Sequence, residues 1–217
     1  NSVWSNDISG TGGFSKAGHG ILRLTGHNTY TGETTVFGGL LQVDGSIASS
    51  SLTVQSGGAV GGVGELGSTT LASGALMTPG NSIGAITISG NFNMNRGSKL
   101  QIEITGPQND KLSINGRTII DGEIVIVPFE NGSPFPFFNY QLISSSANIA
   151  YSGSLNQDAV KSILLSSGAN LVIGSDGDGT TFDIAWLPKN GIGVVGSALA
   201  FQKSTGSNQK STANVLD

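Results

Sequence analysis

Two neighbouring stretches of the chain nearly repeat one another: GILRLTGHNTYTGETTVFGGLLQVDGS at 20–46 and LTVQSGGAVGGVGELGSTTLASGALMTPGNSIGAITISGN at 52–91. Short apolar and polar alternations are broken by glycine roughly every ten to twenty residues, so no strand runs far before the chain must turn. Repeated Gly, Asn and Thr turns around short strands predict a stack in which each coil covers the next and the apolar faces form one column. The fold class expected is all-β: a right-handed parallel β-helix, a single-stranded solenoid with Gly/Asn-rich turns and a polar C-terminal tail.

Alternation assigns the column residue by residue. Leu22 and Leu24, Leu41 and Val43, Leu52 and Val54, Ile86 and Ile88, Phe92 and Met94, and Leu100, Ile102 and Ile104 should point inward. Arg23, Gln42, Thr53, Thr87, Asn93, Gln101 and Glu103 should face water. Leu112 and Ile114, Ile124 and Ile126, Tyr140 and Leu142, Leu171 and Ile173, and Phe182, Ile184 and Trp186 carry the column almost to Pro188. One segment breaks the period: Val160, Ile163 and Leu164 sit at helical spacing after Asn156-Gln157-Asp158, before a stop at Gly168, which reads equally as a short helix or an irregular turn. Residues 1–188 form the β-helical domain in this reading, and 189–217, rich in Gly, Ser, Asn and Lys, form a linker or tail.

Composition agrees. The 217 residues include 34 glycines, about twice ordinary usage, and only 11% are charged. Disorder requires low hydrophobicity with high net charge, whereas 37% of the residues are apolar and the formal charge is −4. Cysteine is absent, and a long stack can bury its column without disulfide staples. No apolar run approaches the roughly 20 residues that span a bilayer, and residues 1–10 lack a basic and apolar leader.

The order of these residues also resembles a known family. Leu22 through Ser46 follow the pattern L-x-L-T-G-x-N-T-Y-T-G-x-T-x-V-x-x-G-x-L-x-V-x-G-S, similar to the passenger-associated repeat of bacterial autotransporters, which export a β-helical passenger through their own outer-membrane barrel. Gly57 to Gly64 and Pro79-Gly80-Asn81-Ser82-Ile83-Gly84 fit the usual continuation, and Gly97 to Pro128 resembles the C-terminal, autochaperone part of such passengers. Asn208 to Asp217 resembles the short segment that precedes the barrel. The resemblance implies a processed fragment, secreted or displayed at the cell surface, with residues 189–217 leading toward a barrel. It implies a virulence factor that engages a host-cell receptor or matrix component, as an adhesin or growth-factor-like ligand. One group, the Bartonella angiogenic factors, is regarded as ligands of endothelial receptors, and no residue here singles that group out. The alternative it carries is a structural stalk and folding nucleus that supports secretion.

Catalytic signals are sparse. Gly80-Asn81-Ser82-Ile83-Gly84 fits Gly-x-Ser-x-Gly, but a nucleophile elbow joins a strand to a helix, and here the strand-like Ala85 to Ser89 follows. His19 and His27, the only histidines, both precede Ser82. Glu103, Asp110, Asp121 and Glu123 fall in adjacent coils, and paired carboxylates are what glycoside cleavage uses; the solvated side of a strand is the simpler reading. Ser175-Asp176-Gly177-Asp178-Gly179 has calcium-like spacing but no third carboxylate, and reads as a hairpin turn before Thr180 to Leu187. The expectation is a non-enzymatic chain without cofactor or metal, and without a nucleic-acid partner.

Binding fits these residues better. Arg96, Lys99, Lys111 and Arg117 concentrate four of the ten basic residues, and stacking on one face would attract sulfated glycans or acidic receptor patches. Phe135, Phe137 and Phe138, set among Pro134 and Pro136, form either an exposed contact surface or a plug over the column. Trp4 and Phe14 read as a similar plug near the start.

Overall fold

The computed structural model describes residues 1–105, 108–128, 139–156, 169–174 and 179–188. The chain enters through β1 (Ser2–Trp4), β2 (Phe14–Lys16) and β3 (Ile21–Leu24), then repeats a cycle of three short strands. The first cycles are β4 (Thr34–Val36), β5 (Gly39–Val43) and β6 (Ser46–Ile47), then β7 (Leu52–Val54), β8 (Gly58–Gly62) and β9 (Glu65–Leu66). Next come β10 (Thr69–Leu71), β11 (Leu76–Pro79) and β12 (Ala85–Ile88). β13 (Phe92–Met94), β14 (Lys99–Thr105), its short partner β15 (Gln108–Asn109) and β16 (Lys111–Ile114) follow. Then come β17 (Thr118–Ile120), β18 (Glu123–Pro128) and β19 (Asn139–Ser145), and β20 (Ile149–Tyr151) and β21 (Ser154–Asn156). The last described strands are β22 (Ala169–Gly174) and β23 (Thr181–Pro188), and no helix occurs among the described residues.

Each cycle contributes one strand to each of three sheets. Sheet A runs β1-β3-β5-β8-β11-β14-β18-β21, sheet B runs β2-β4-β7-β10-β13-β17-β20, and sheet C runs β6-β9-β12-β16-β19-β23-β22. Neighbours from successive coils pair in parallel, which gives a three-sided β-solenoid of about 6 turns. Leu22, Leu41 and Val60 pair in succession at steps of nineteen residues, whereas Met77 and Leu100 are twenty-three apart because a connection is inserted between β11 and β12.

The core is the column the alternation describes. Leu22, Leu41, Val60, Met77, Leu100 and Ile124 stack in sheet A, Val36, Val54, Leu71, Met94 and Ile120 in sheet B, and Ile47, Leu66, Ile88 and Ile114 in sheet C. All are buried, each worth about 1.5–3 kcal/mol of apolar transfer. Arg23, Gln42, Thr53, Thr87, Asn93, Gln101 and Glu103 are part-exposed on the outside, as expected. The column does not continue as parallel coils to Pro188. Phe182 and Ile184 are buried, but they arrive on β23, which pairs antiparallel with β19 and with β22 at the edge of sheet C. That pairing agrees with the hairpin expected before Thr180. The segment 157–168, read as a short helix or an irregular turn, and the tail of 189–217 lie outside the described residues.

Polar residues of the repeat phrase sit inside as well. Asn28, 2% exposed, donates to Gly26 O (3.1 Å) and Ser46 O (3.0 Å) and accepts the Ile8 N–H (2.9 Å), tying three coils together. Tyr30 Oη lies 2.6 Å from Thr34 Oγ1, which lies 2.7 Å from Ser50 Oγ; that hydroxyl donates to Gly32 O. Lys16, at an inward position of the first sheet B strand, donates its ammonium to the carbonyls of Ala17, Gly18 and Gly38 at 2.9–3.0 Å. Trp4 is 48% exposed and meets Phe14 edge-on at 5.9 Å, with Tyr30 next to Phe14 at 6.1 Å.

Truncating Asn28 leaves the Ile8 N–H without its partner and takes the second donor from the Gly26 and Ser46 carbonyls, which keep the backbone N–H groups of Ser46 and Asn28. Asn28→Ala is expected to cost about 1–3 kcal/mol, read as a lower urea midpoint at unchanged slope. A loss under about 0.5 kcal/mol would show that water replaces the amide.

Candidate functional site

The outer face of sheet A carries one irregularity. Arg23, Gln42, Gly61 and Thr78 lie side by side on successive strands, and Gly61 leaves a gap in the row of side chains. A Cβ at Gly61 would meet Thr78 O at 2.7 Å, so the strands are packed for its absence. At the end of β11 the chain leaves the sheet at Gly80, whose φ of 89° is a left-handed value that side-chain-bearing residues rarely adopt. A Cβ there would also lie 1.9 Å from Ser82 O. The resulting strap, Gly80-Asn81-Ser82-Ile83-Gly84, lies over the margin of the sheet before β12 begins.

Both ends of the strap are pinned. Asn81 donates to Asp44 Oδ1 (3.1 Å) and accepts from Gln42 Nε2 (2.8 Å), while the Arg23 guanidinium pairs with Asp44 Oδ2. Burial pushes the Asp44 carboxyl up, but hydrogen bonds from Arg23, Asn81 and Gln42 outweigh it and hold the group below its usual range. At the other end Asp110, 1% exposed, accepts the Gly84 N–H on Oδ1 (2.9 Å) and the Glu103 N–H on Oδ2 (2.8 Å). Burial drives its pKa up to about 7 with a contribution from the Glu103 charge, against the pull of those two N–H donors. Between the strap and the strands lies an open trough of about 410 Å³, floored by Gly61 and Thr78 and reaching Gln101, Glu103 and Asp110.

The basic residues singled out by sequence are placed apart. Arg96 stands in the turn before β14 and faces Asp121 at 3.7 Å, and Lys99 opens β14 and pairs with Glu123 at 3.1 Å. Hydrogen bonds from Asn156 and Lys99 hold the Glu123 carboxyl below its usual range. Lys111 opens β16 in sheet C, and Arg117 lies in the turn before β17 in sheet B. Only Arg96 and Lys99 therefore share a corner, each with a carboxylate neighbour. Of the four acidic candidates, Asp121 and Glu123 serve that corner, while Glu103 and Asp110 meet at the trough.

Ser82 is exposed on the strap with a strand following it, His19 is exposed at a bend, and His27 is exposed where its backbone bridges to Ser46. Phe135, Phe137, Phe138, Asp176 and Asp178 lie outside the described residues. Among the described residues no group of three or more His, Cys, Asp or Glu is placed to hold a metal ion. Sequence reasoning missed the trough, which joins Gln42, Thr78, Asn81 and Gln101 from three coils. Its one legible sign was the Pro79–Gly84 interruption of the strand rhythm.

Because its pKa is higher folded than unfolded, Asp110 contributes stability that is complete below the usual carboxylate pKa and is lost as pH rises through about 7. Asp44 and Glu123, lowered by folding, contribute in the opposite sense, losing their share in acid. The urea midpoint should accordingly fall between pH 5 and pH 8. In Asp110→Asn, where an amide replaces one acceptor, the protein should be weaker at pH 5 but flat across that window. A wild-type midpoint constant from pH 5 to 8 would contradict the assignment.

Comparison with known proteins places these features. Residues 14–43 match the family described as the passenger-associated-transport-repeat. An extracellular serine protease of Serratia marcescens is 38% identical over 128 residues, covering 58% of this chain and 12% of that protein. The adhesin BmaC autotransporter of Brucella suis is 31% identical over 179 residues, 72% of this chain and 5% of that protein. The Neisserial autotransporter lipoprotein NalP of Neisseria meningitidis is 56% identical over 41 residues, 19% of this chain and 4% of the protein. The chain thus spans about an eighth or less of the length of these relatives. With its repeat, its parallel coils and these relatives, the chain belongs to the bacterial autotransporter passengers, which are secreted or surface-exposed through the outer membrane.

Proposed function

We propose that this solenoid is a non-enzymatic, adhesin-like part of its passenger, presenting a binding face to a receptor or matrix component on a host cell. The observation that carries the reading is the alignment of 72% of the chain with an autotransporter named as an adhesin. The architecture suits the role, because residues on the outer faces are not used to hold the column and are free to vary in chemistry. A growth-factor-like or pro-angiogenic effect, and a part in virulence, would follow from which receptor the face meets. Sulfated glycans are the partner that the Arg96 and Lys99 corner would favour, with the neighbouring carboxylates reducing its pull.

A second reading rests on a specific observation. Alignments over 58% and 55% of the chain match extracellular serine proteases at 38% and 35% identity, so related coils occur in proteins whose names give different activities. A shared mechanical task, a stalk and autochaperone that helps the passenger leave the cell and stay extended, accounts for that.

The purified chain should bind endothelial or epithelial cells saturably, with binding that resists heparinase and a rise in salt. Heparinase-sensitive binding would move the contact to sulfated glycans. Absence of binding to either cell type would overturn the adhesin reading in favour of the stalk. In that case deleting residues 97–128 from the whole passenger should block its appearance at the cell surface.

A further inference from the structure

The trough on sheet A has a chemistry of its own. Among the described residues, the side chains of Thr78, Ser82, Gln101 and Glu103 make no hydrogen bond or ion pair within the protein, and all four line this space. Gln42 and Asp110 add an amide and a buried carboxyl to the same wall. One side is apolar. Leu40 and Pro79 line it, and Leu40 belongs to a row in which Ile21, Leu40, Ala59 and Leu76 pair in register on the outer face of four successive strands. Among the described residues no lysine or arginine lines the trough.

We propose that this trough binds a neutral or amine-bearing oligosaccharide. The inference rests on the adhesin-like reading for its setting, and deepens it by naming the chemistry the face would meet on a cell. A pyranose ring presents a C–H face and an edge of hydroxyls that both donate and accept. Leu40 and Pro79 answer the first, and the Gln101 amide, the Thr78 and Ser82 hydroxyls and the Glu103 carboxylate answer the second. A sulfated or sialylated chain is disfavoured by Glu103 and by the absence of a cation among the described lining residues. An extended peptide has no strand edge to pair with, because β5, β8, β11 and β14 are each bonded on both sides.

Size and rigidity agree. Three strand spacings of about 4.8 Å carry the trough from β5 to β14 over roughly 14 Å, a length of a few sugar units. Its volume of about 410 Å³ is that of small-ligand sites. The lining stands on in-register strands and on a strap pinned at both ends, so little order has to be gained on binding.

The test presents the purified chain with immobilised neutral lactosamine, chito- and galacto-oligosaccharides, amine-bearing sugars, and sulfated and sialylated controls. Two variants accompany it: Ser82→Trp, which fills the trough from an exposed position, and Gln101→Ala, which removes one unpartnered amide. Wild type should bind a neutral or amine-bearing sugar. Gln101→Ala should weaken it by about tenfold, the worth of one hydrogen bond. Ser82→Trp should abolish it, with both variants melting as wild type does. No binding to the neutral or amine-bearing sugars, a preference for the sulfated controls, or binding that survives both substitutions would overturn the proposal. Cell adhesion that persists in Ser82→Trp would overturn the trough and leave the adhesin reading standing. Sugar binding without cell adhesion would do the reverse.

Discussion

The structure depends on one coupling: parallel backbone pairing between successive coils holds only while the inward side chains of those coils stack. Parallel ladders need both faces of the pairing residues kept in register, and a slip of one residue would turn Leu41 outward and Gln42 inward. The pairing of Leu22 with Leu41 and Leu41 with Val60 is therefore at once a hydrogen-bond register and a packing register. Each coil covers its neighbours and no coil has a core of its own, so stability accumulates along the axis rather than around a centre.

The polar residues of the repeat enforce the same register at the corners. Asn28 satisfies a donor and two acceptors from three coils, and the Tyr30, Thr34 and Ser50 hydroxyls form a buried relay beside it. A comparable contact recurs further down, where Thr118 and Ser145 hydroxyls meet at 2.9 Å and Ser145 donates to Gly116 O. Hydrogen bonds are directional while apolar contact is not, so these residues fix where each turn is made and the column supplies the free energy.

Since the inside carries that task, an insertion between coils disturbs the outside alone. The extra residues between β11 and β12 leave Ile86 and Ile88 in their stacked places and spill outward as the strap. Asn81 and Asp110 then fasten it, one through an ion-paired network and the other through two backbone N–H groups. The trough is a product of this economy: a gap at Gly61, a wall at the strap, and a row of side chains the column does not need.

The amino-acid order determined the architecture because period-two burial is a local property. Every described side chain assigned inward by alternation from Leu22 to Ile126 is buried, and the repeat phrase, matched by the family over residues 14–43, pointed to the passengers that the relatives then bear out. Alternation could not place Lys16, whose inward ammonium is satisfied by the carbonyls of Ala17 and Gly18 in its own turn and of Gly38 in the next coil, nor the antiparallel entry of β23. It could not assemble the trough or keep the basic residues together, because faces depend on turn lengths that vary from coil to coil. Lys99, Lys111 and Arg117 are close in sequence yet stand at three different sheets, whereas Gln42, Asn81 and Asp110 are distant in sequence and meet. Burial follows from each residue's neighbours in the chain; adjacency on the surface follows from the summed geometry of the turns, which only the folded solenoid sets.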